Sequence, residues 1–276
     1  MKRLKLIIVL SMILGIASLS TSCSKDVQDL AADTSVSTDD AFAESIYEDV
    51  TNIANEAYNN GGDGLKATNE NLYLSGCATV TLDTTVFPRL LTVDFGEENC
   101  LCIDGRMRRG KILVTFNGRY WWPGTVITYG FDNYFVNDNQ VDGTKVVTNM
   151  GFNGDGHPYF NIEVVGVIVL ANGGGTLSWS TSKVREWVEG YTTWNPLDDV
   201  YLLTGSASGI RPNGQTWTRE IINPLRVEIG CRWIVSGTME IQPEGLALRI
   251  VDWGNGECDN IATVLVNGIT YTIFLN

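Results

Sequence analysis

Few residues in this sequence have the types and spacing that chemistry needs. The single histidine, His157, sits in Gly154-Asp155-Gly156-His157-Pro158. A lone histidine can serve as a general base or as one metal ligand, but one histidine excludes any zinc site built on two. As part of a Gly- and Pro-bounded loop, His157 reads as an exposed turn residue. Asp94 and Asp252 hold equivalent places in Val93-Asp94-Phe95-Gly96 and Val251-Asp252-Trp253-Gly254. Two carboxylates from pseudo-symmetric units are what a hydrolase uses. The simpler reading is a pair of turns in which each carboxylate accepts bonds from the following backbone N–H groups. Residues 138–143 begin like a calcium loop, but Gln140 stands at the third ligand and Asn149 where a bidentate Glu is needed; a hairpin turn is the better reading. Gly205-Ser206-Ala207-Ser208-Gly209 imitates a nucleophile elbow, but it ends a strand and no helix follows. Gly173-Gly174-Gly175 lacks the lysine and helix of a phosphate loop. Glu186, Glu189, Asp198 and Asp199 read as solvated acids. No catalytic set, metal set or cofactor cradle assembles, and the chain reads as non-enzymatic.

The clearest internal pattern is a repeated cysteine unit. Gly76-Cys77 leads to Val93-Asp94-Phe95-Gly96 and then Cys100; Gly230-Cys231 leads to Val251-Asp252-Trp253-Gly254 and then Cys258. In each unit a strand ends in a Gly-containing turn, and a disulfide across the hairpin would staple it. The expected bridges are Cys77–Cys100 and Cys231–Cys258, each worth about 3 kcal/mol on the chain-entropy model. Cys102 is either left over or replaces Cys100, since residues i and i+2 share a strand face.

The second source of recognition chemistry is aromatic. Tyr120-Trp121-Trp122-Pro123 is dense enough for an exposed platform, and Trp187, Tyr191 and Trp194 fall in a loop-like stretch. Rings beside Asp, Asn and Gln suit a sugar, whose C–H faces stack and whose hydroxyls bond to amides. Trp121, Trp122, Trp187 and Trp194 are therefore the candidate glycan-binding residues. A core and rim built on Trp explain the same residues without a ligand.

The elements that must position these groups are mostly strands. Alternating and β-branched runs follow one another from residue 72 to 275, separated by turn signals such as Asp142-Gly143, Asn172-Gly173, Asn213-Gly214 and Asn267-Gly268. Short connections favour an antiparallel meander, which can stay open and curled, close as a barrel or fold into a sandwich. One amphipathic helix is expected over residues 38–58. Phe42, Ile46, Val50, Ile53, Ala54, Ala57 and Tyr58 lie on one face of a 3.6-residue period and should pack on the sheet. Thr38 or Asp39 would cap it, with acids in its first turn. The fold expected is all-β with this one helix packed on it, in a single domain over 38–276.

The N-terminus carries an address. Lys2, Arg3 and Lys5 precede an apolar run from Leu6 to Ile16, too short to span a bilayer comfortably. Leu19-Ser20-Thr21-Ser22-Cys23 resembles a relaxed bacterial lipobox of the kind seen in Bacteroidota lipoproteins. That resemblance implies a signal peptide over 1–22, lipidation of Cys23, a flexible tether over 23–37 and membrane attachment through the lipid. Ser24 after the cysteine implies the outer membrane; Lys25-Asp26 resembles part of a surface-export signal and leaves the periplasmic or surface-exposed side open. Residues 185–190, 202–205 and 258–264 look like β-rich outer-membrane lipoproteins of Bacteroidota with no assigned activity. The resemblance covers most of the chain after residue 70 and supplies no catalytic residue.

Composition closes off other classes. The chain has 276 residues, a formal charge of −13 and only 18% charged residues. It lacks the basic stripe a nucleic-acid binder needs. Between residues 25 and 58 there are nine acids and one base, so much of the negative charge belongs to the tether and helix. The expected function is a lipid-anchored, non-enzymatic cell-envelope protein that binds or scaffolds a partner through its β surface. A glycan-binding surface lipoprotein and a carboxylate-dependent hydrolase are the alternatives.

Overall fold

A computed structural model describes residues 35–61, 74, 78–231 and 233–274. It is mostly β, with one helix packed on one long antiparallel sheet. The strands are β1 (Thr79–Asp83), β2 (Arg89–Asp94), β3 (Cys100–Leu101), β4 (Met107–Phe116), β5 (Val126–Val136), β6 (Asn139–Phe152) and β7 (Pro158–Leu170). They continue as β8 (Gly175–Glu189), β9 (Val200–Ile210), β10 (Thr216–Glu228), β11 (Ile234–Pro243), β12 (Arg249–Asn255), β13 (Ile261–Val266) and β14 (Ile269–Phe274). Apart from the short β3, which pairs only with β4, each strand lies beside its neighbours in sequence. Among the described residues β1 and β14 are not paired with each other, so the meander stays open.

Alternation explains the strands. In β7, Phe160, Ile162, Val164 and Ile168 are buried, while Val165, Val167 and Val169 on the other face are exposed. Two turn signals behave differently from expectation. Asp142-Gly143 is not a turn but the interior of β6, where Gly143 takes φ 114° opposite Gly166. A Cβ at Gly143 would meet the Val165 carbonyl oxygen at 2.2 Å, so glycine is required by close backbone approach rather than by a bend. The real hairpin turn is Asn137-Asp138, both with positive φ. Gly205 and Gly209 likewise lie inside β9, and no elbow forms there.

The helix, α1 (Ser35–Gly61), is longer at both ends than the expected 38–58. Its first turn therefore carries no acid, and Asp39 and Asp40 fall one turn later. Val36, Ala43, Ile46, Tyr47, Val50, Ile53, Ala54 and Ala57 are all buried. Phe42 and Tyr58 of the expected face are partly buried and pack against this core, and Tyr47, outside the expected set, is buried within it.

α1 crosses the strands diagonally. Asp39 pairs with Arg211, just after β9, at 2.7 Å, and Asp40 pairs with Arg219 of β10 at 2.8 Å. Tyr58, near the other end, meets Phe116 of β4 edge-on at 5.4 Å. The contacts of α1 also span several strands. Tyr47 stacks on Trp179 of β8 at 5.6 Å, and two residues later Asp49 reaches Arg108 of β4 at 2.7 Å. Four strand spacings are about 19 Å of flat sheet, wider than a helix of about 10–12 Å. The long Arg108 and Trp179 side chains reach across that width to the helix.

Candidate functional site

The two ends of the sheet differ sharply in chemistry. One end carries the connections at 84–88, 117–125, 153–157, 190–199, 229–231 and 256–260. Here Phe87 is 81% exposed and Trp194 90%, and Trp121, Trp122, Phe152 and Phe274 stand out beside them. The other end carries the 95–106 connection, where Leu101 and Ile103 are each 61% exposed, and tighter turns at Asn137-Asp138, Asn172-Gly173, Asn213-Gly214, 244–248 and Asn267-Gly268. Among the described residues no large aromatic side chain is exposed there, and Tyr271 lies mid-strand in β14. The aromatic end is thus a rim, and its exposed acids Asp155, Asp198, Glu257 and Asp259 outnumber the exposed Arg89 and Arg119 beside them.

Each rim loop is held by its own hydrogen bonds. In the 117–125 loop, Trp122 N–H donates to Arg119 O at 2.9 Å and Gly124 N–H to Asn149 O at 2.8 Å. Asn149 Nδ2 donates to Tyr120 O at 2.8 Å, and the Arg119 guanidinium lies over the Trp122 ring at 5.6 Å. Trp121 borders a small cavity of about 40 Å³ with Ala54, Tyr58 and Phe116, which ties this loop to the C-terminal end of α1. In the 190–199 loop, Thr193 Oγ1 donates to Asp198 at 2.9 Å and Leu197 N–H donates to Asn195 Oδ1 at 3.2 Å. These bonds shape the loop that presents Trp194 and Leu197.

Beneath the rim an aromatic band joins the two loops. Tyr120 stacks on Phe160 at 4.7 Å. The Arg185 guanidinium lies 5.3 Å from both the Phe160 and the Tyr201 rings. Trp187 packs on Tyr201 at 5.5 Å and meets Tyr191 at 6.3 Å. His157 ends the band, edge-on to Tyr191 at 6.1 Å.

Several expected site residues therefore take other roles. Trp187 is half-buried within the band, unlike Trp121, Trp122 and Trp194. His157 is not an exposed turn residue: its Nδ1 lies 2.7 Å from Glu186 Oε1, which also accepts from Asn153 Nδ2 at 2.7 Å. The acids expected to be solvated are mostly paired. Glu186 holds the 153–157 turn, Asp199 is buried and Glu189 pairs with Arg226 at 2.8 Å.

Asp94 and Asp252 are not brought together. Asp94 Oδ1 accepts from Gly96 N–H at 2.9 Å and Asp252 Oδ1 from Gly254 N–H at 2.8 Å. The two glycines have φ 82° and 81°. The repeat is one turn used twice, once at each end of the sheet. Cys231 and Cys258 are joined across the rim end. Cys100 is disulfide-bonded, and Cys102 is free and buried. Cys77 and Cys23 lie outside the described residues.

The comparisons with known proteins add nothing to this geometry. No family model, curated protein or solved structure matches the chain.

The largest group that the sequence reading missed is a buried bed of charge under α1. Arg108, Lys145, Lys183 and Arg219 point inward from β4, β6, β8 and β10, each less than a tenth exposed. Asp40 receives Arg219 and Trp179 Nε1, both at 2.8 Å. Glu44 meets Lys183 and Arg219. Lys145 Nζ donates to Tyr47 O at 2.9 Å, Thr51 Oγ1 at 2.6 Å and Glu48 at 3.0 Å. Burial works against the charge on Asp40 and pushes its carboxyl upward, with Arg219 opposing. Burial also works against Glu48, but Lys145, Lys183 and Arg185 outweigh it and hold that carboxyl at about 2. With 41% of its side chain exposed, Glu48 owes this depression to its neighbours' charge.

Buried ion pairs add little net stability over apolar packing, yet losing one partner is costly. Here they fix register. A one-residue slip of α1 turns its face by about 100° and leaves four buried cations facing the wrong side chains.

On the opposite face, a groove of about 800 Å³ between β7 and β11 is floored by Ser178, Ser180, Ser208 and Thr218. Short side chains make it, and no charged cluster lines its floor. Among the described residues no three His, Cys, Asp or Glu side chains converge as a metal site requires.

Proposed function

We propose that this chain is a lipid-anchored, non-enzymatic protein of the outer membrane that binds a partner protein through its aromatic rim. The observation that carries the reading is the segregation of exposed Phe and Trp to one end of the sheet. Interface cores are enriched in aromatic anchors on pre-formed scaffolds, and the hydrogen-bonded loops supply that scaffold. A partner with apolar pockets and a basic margin complements Trp122, Trp194 and the surrounding acids.

The anchor is compatible with the same reading. α1 begins beside Arg211, at the end away from the rim. With a lipid on Cys23, the chain would enter the fold at the end away from the rim. A glycan platform is less well supported. Trp121 backs onto the small cavity, Arg119 occupies one face of Trp122, and Trp194 stands in a separate loop.

The test is site-specific photo-crosslinking in intact cells, with the crosslinker at position 122 or 194 and, as control, at position 213 on the far end. One discrete protein adduct from both rim positions and none from the control is the expected result. Adducts of equal pattern from all three positions would overturn the reading. A rim that binds immobilised glycans and yields no protein adduct would replace it with the carbohydrate alternative.

A further inference from the structure

β14 is the last strand of the sheet and pairs on one side with β13, in unbroken register from Ile261↔Phe274 to Val266↔Ile269. Among the described residues nothing pairs with its other side. Soluble proteins protect such an edge with charge, proline, a bulge or a cover. β14, Ile-Thr-Tyr-Thr-Ile-Phe, has no charge and no proline, and five of its six residues are exposed. The unbroken register rules out a bulge.

The sequence of this edge has a second property. Residues 269–273 read Ile-Thr-Tyr-Thr-Ile in both directions. If the strand pairs antiparallel with its own copy about Tyr271, Ile269 faces Ile273, Thr270 faces Thr272 and Tyr271 faces itself. The β13 register extends the match into rows four side chains wide. Val264 and Tyr271 meet Tyr271 and Val264 of the copy. Val266 and Ile269 meet Ile273 and Ala262. On the opposite face Leu265 and Thr270 meet Thr272 and Thr263. Like meets like in every row, and no charge repels across the axis.

We propose that two copies of this chain associate by antiparallel pairing of β14 with β14 about a two-fold axis at Tyr271, so that each sheet continues into the other. A strand from a different protein has no use for this symmetry. A head-to-tail joint with the other edge, β1, brings in Asp83 and does not close. Pairing one short strand buries less than the roughly 1,200 Å² of a standard interface, so the dimer is concentration-dependent. The pairing uses residues 269–273 and none of Trp121, Trp122 and Trp194; of the rim side chains only Phe274 belongs to the same strand.

The test uses the whole chain, purified in mild detergent and followed by sedimentation equilibrium. The expected result is a reversible monomer–dimer equilibrium. Tyr271→Lys and Tyr271→Glu should each weaken it at least tenfold, because each places like charges on the axis. An equimolar mixture of the two should restore the dimer, which damage to folding cannot do. As a second measurement, Tyr271→Cys should cross-link to dimer under mild oxidation, since facing Cα atoms lie about 4.5–5.5 Å apart, within disulfide range. Ile269→Cys should not, because its facing residue is Ile273. A monomer at every concentration, open-ended polymers, a dimer indifferent to Tyr271→Lys, or equal cross-linking at 269 and 271 would overturn the proposal.

Discussion

Gly166 is the position where docking of α1 can be tested most directly. It lies in β7 between Gly143 and Trp179, and Tyr47 rests on it. A Cβ placed there would meet Tyr47 at 1.9 Å from the hydroxyl oxygen, 2.2 Å from Cζ and 2.6 Å from Cε2. Tyr47 is poorly able to retreat. It is 1% exposed, its hydroxyl donates to Asp142 O at 2.7 Å, and its ring is stacked on Trp179. Gly166→Ala must displace the ring by about 1 Å or more to regain van der Waals separation. Overpacking costs about 1–3 kcal/mol and the lost hydrogen bond about 1 kcal/mol, giving roughly 2–4 kcal/mol in all. For a chain of this size that lowers Tm by roughly 5–15 °C. Gly130→Ala is the control, because nothing lies within 4 Å of a Cβ there; it should stay within about 0.5 kcal/mol of the parent. Urea midpoints read by tryptophan fluorescence and far-UV circular dichroism compare the two. Tyr47→Leu in the Gly166→Ala background should show coupling of about 1 kcal/mol or more. Equal stability of the two alanine variants, or strict additivity with Tyr47→Leu, would refute the packing argument.

Acid should loosen α1 over a defined range. Partial desolvation works against the charge on Glu44 and Glu48, but both are held below the usual carboxylate range, by Lys183 and Arg219 for the first and Lys145 and Lys183 for the second. The unfolded chain then binds protons that the folded chain refuses. Their contribution is intact above about pH 4.5 and lost as pH falls toward 2. Asp40 has the opposite sign, since burial raises it, and it offsets part of the loss. Urea midpoints measured across that range should fall, and less steeply in Glu48→Gln. Replacing both Cys231 and Cys258 with serine releases a link across 27 residues. Calorimetry or urea unfolding should show a loss of about 3.5 kcal/mol on the chain-entropy model, with α1 still docked.

The meander was legible because its signals are local. Alternation in β7 and β8, and Asn-Gly pairs at 213–214 and 267–268, report neighbours a few residues away. Asp142-Gly143 misled because a glycine demanded by a neighbouring strand looks like one demanded by a turn. Trp187 misled for a related reason: its burial depends on Tyr191 of the folded 190–199 loop and on Tyr201 across the pairing with β9. The charge bed was encoded but not read. Lys145 shares strand parity with Val141 and Val147, Lys183 with Leu177 and Trp179, and Arg219 with Trp217 and Ile221. A cation on the apolar side of a strand requires an acid across the core, and Asp40, Glu44 and Glu48 recur every fourth residue on α1. Matching those two patterns would have found the helix–sheet interface. The choice between open sheet and barrel rests on contacts at opposite ends of the chain, which no local pattern reports.

The diagonal course of α1 also sets a timetable. A chain that emerges N-terminus first delivers the helix before any strand that can receive it. The C-terminal end of α1 meets its partners soonest, since Asp49 waits 59 residues for Arg108. Asp40 waits 139 residues for Trp179 and 179 for Arg219. The helix is thus seated from back to front as successive hairpins arrive, and the segment made earliest is satisfied among the last. Contacts of such long separation fold slowly, so the acids of α1 have a second use: they keep an exposed apolar stripe soluble until the cations that will neutralise it have been made.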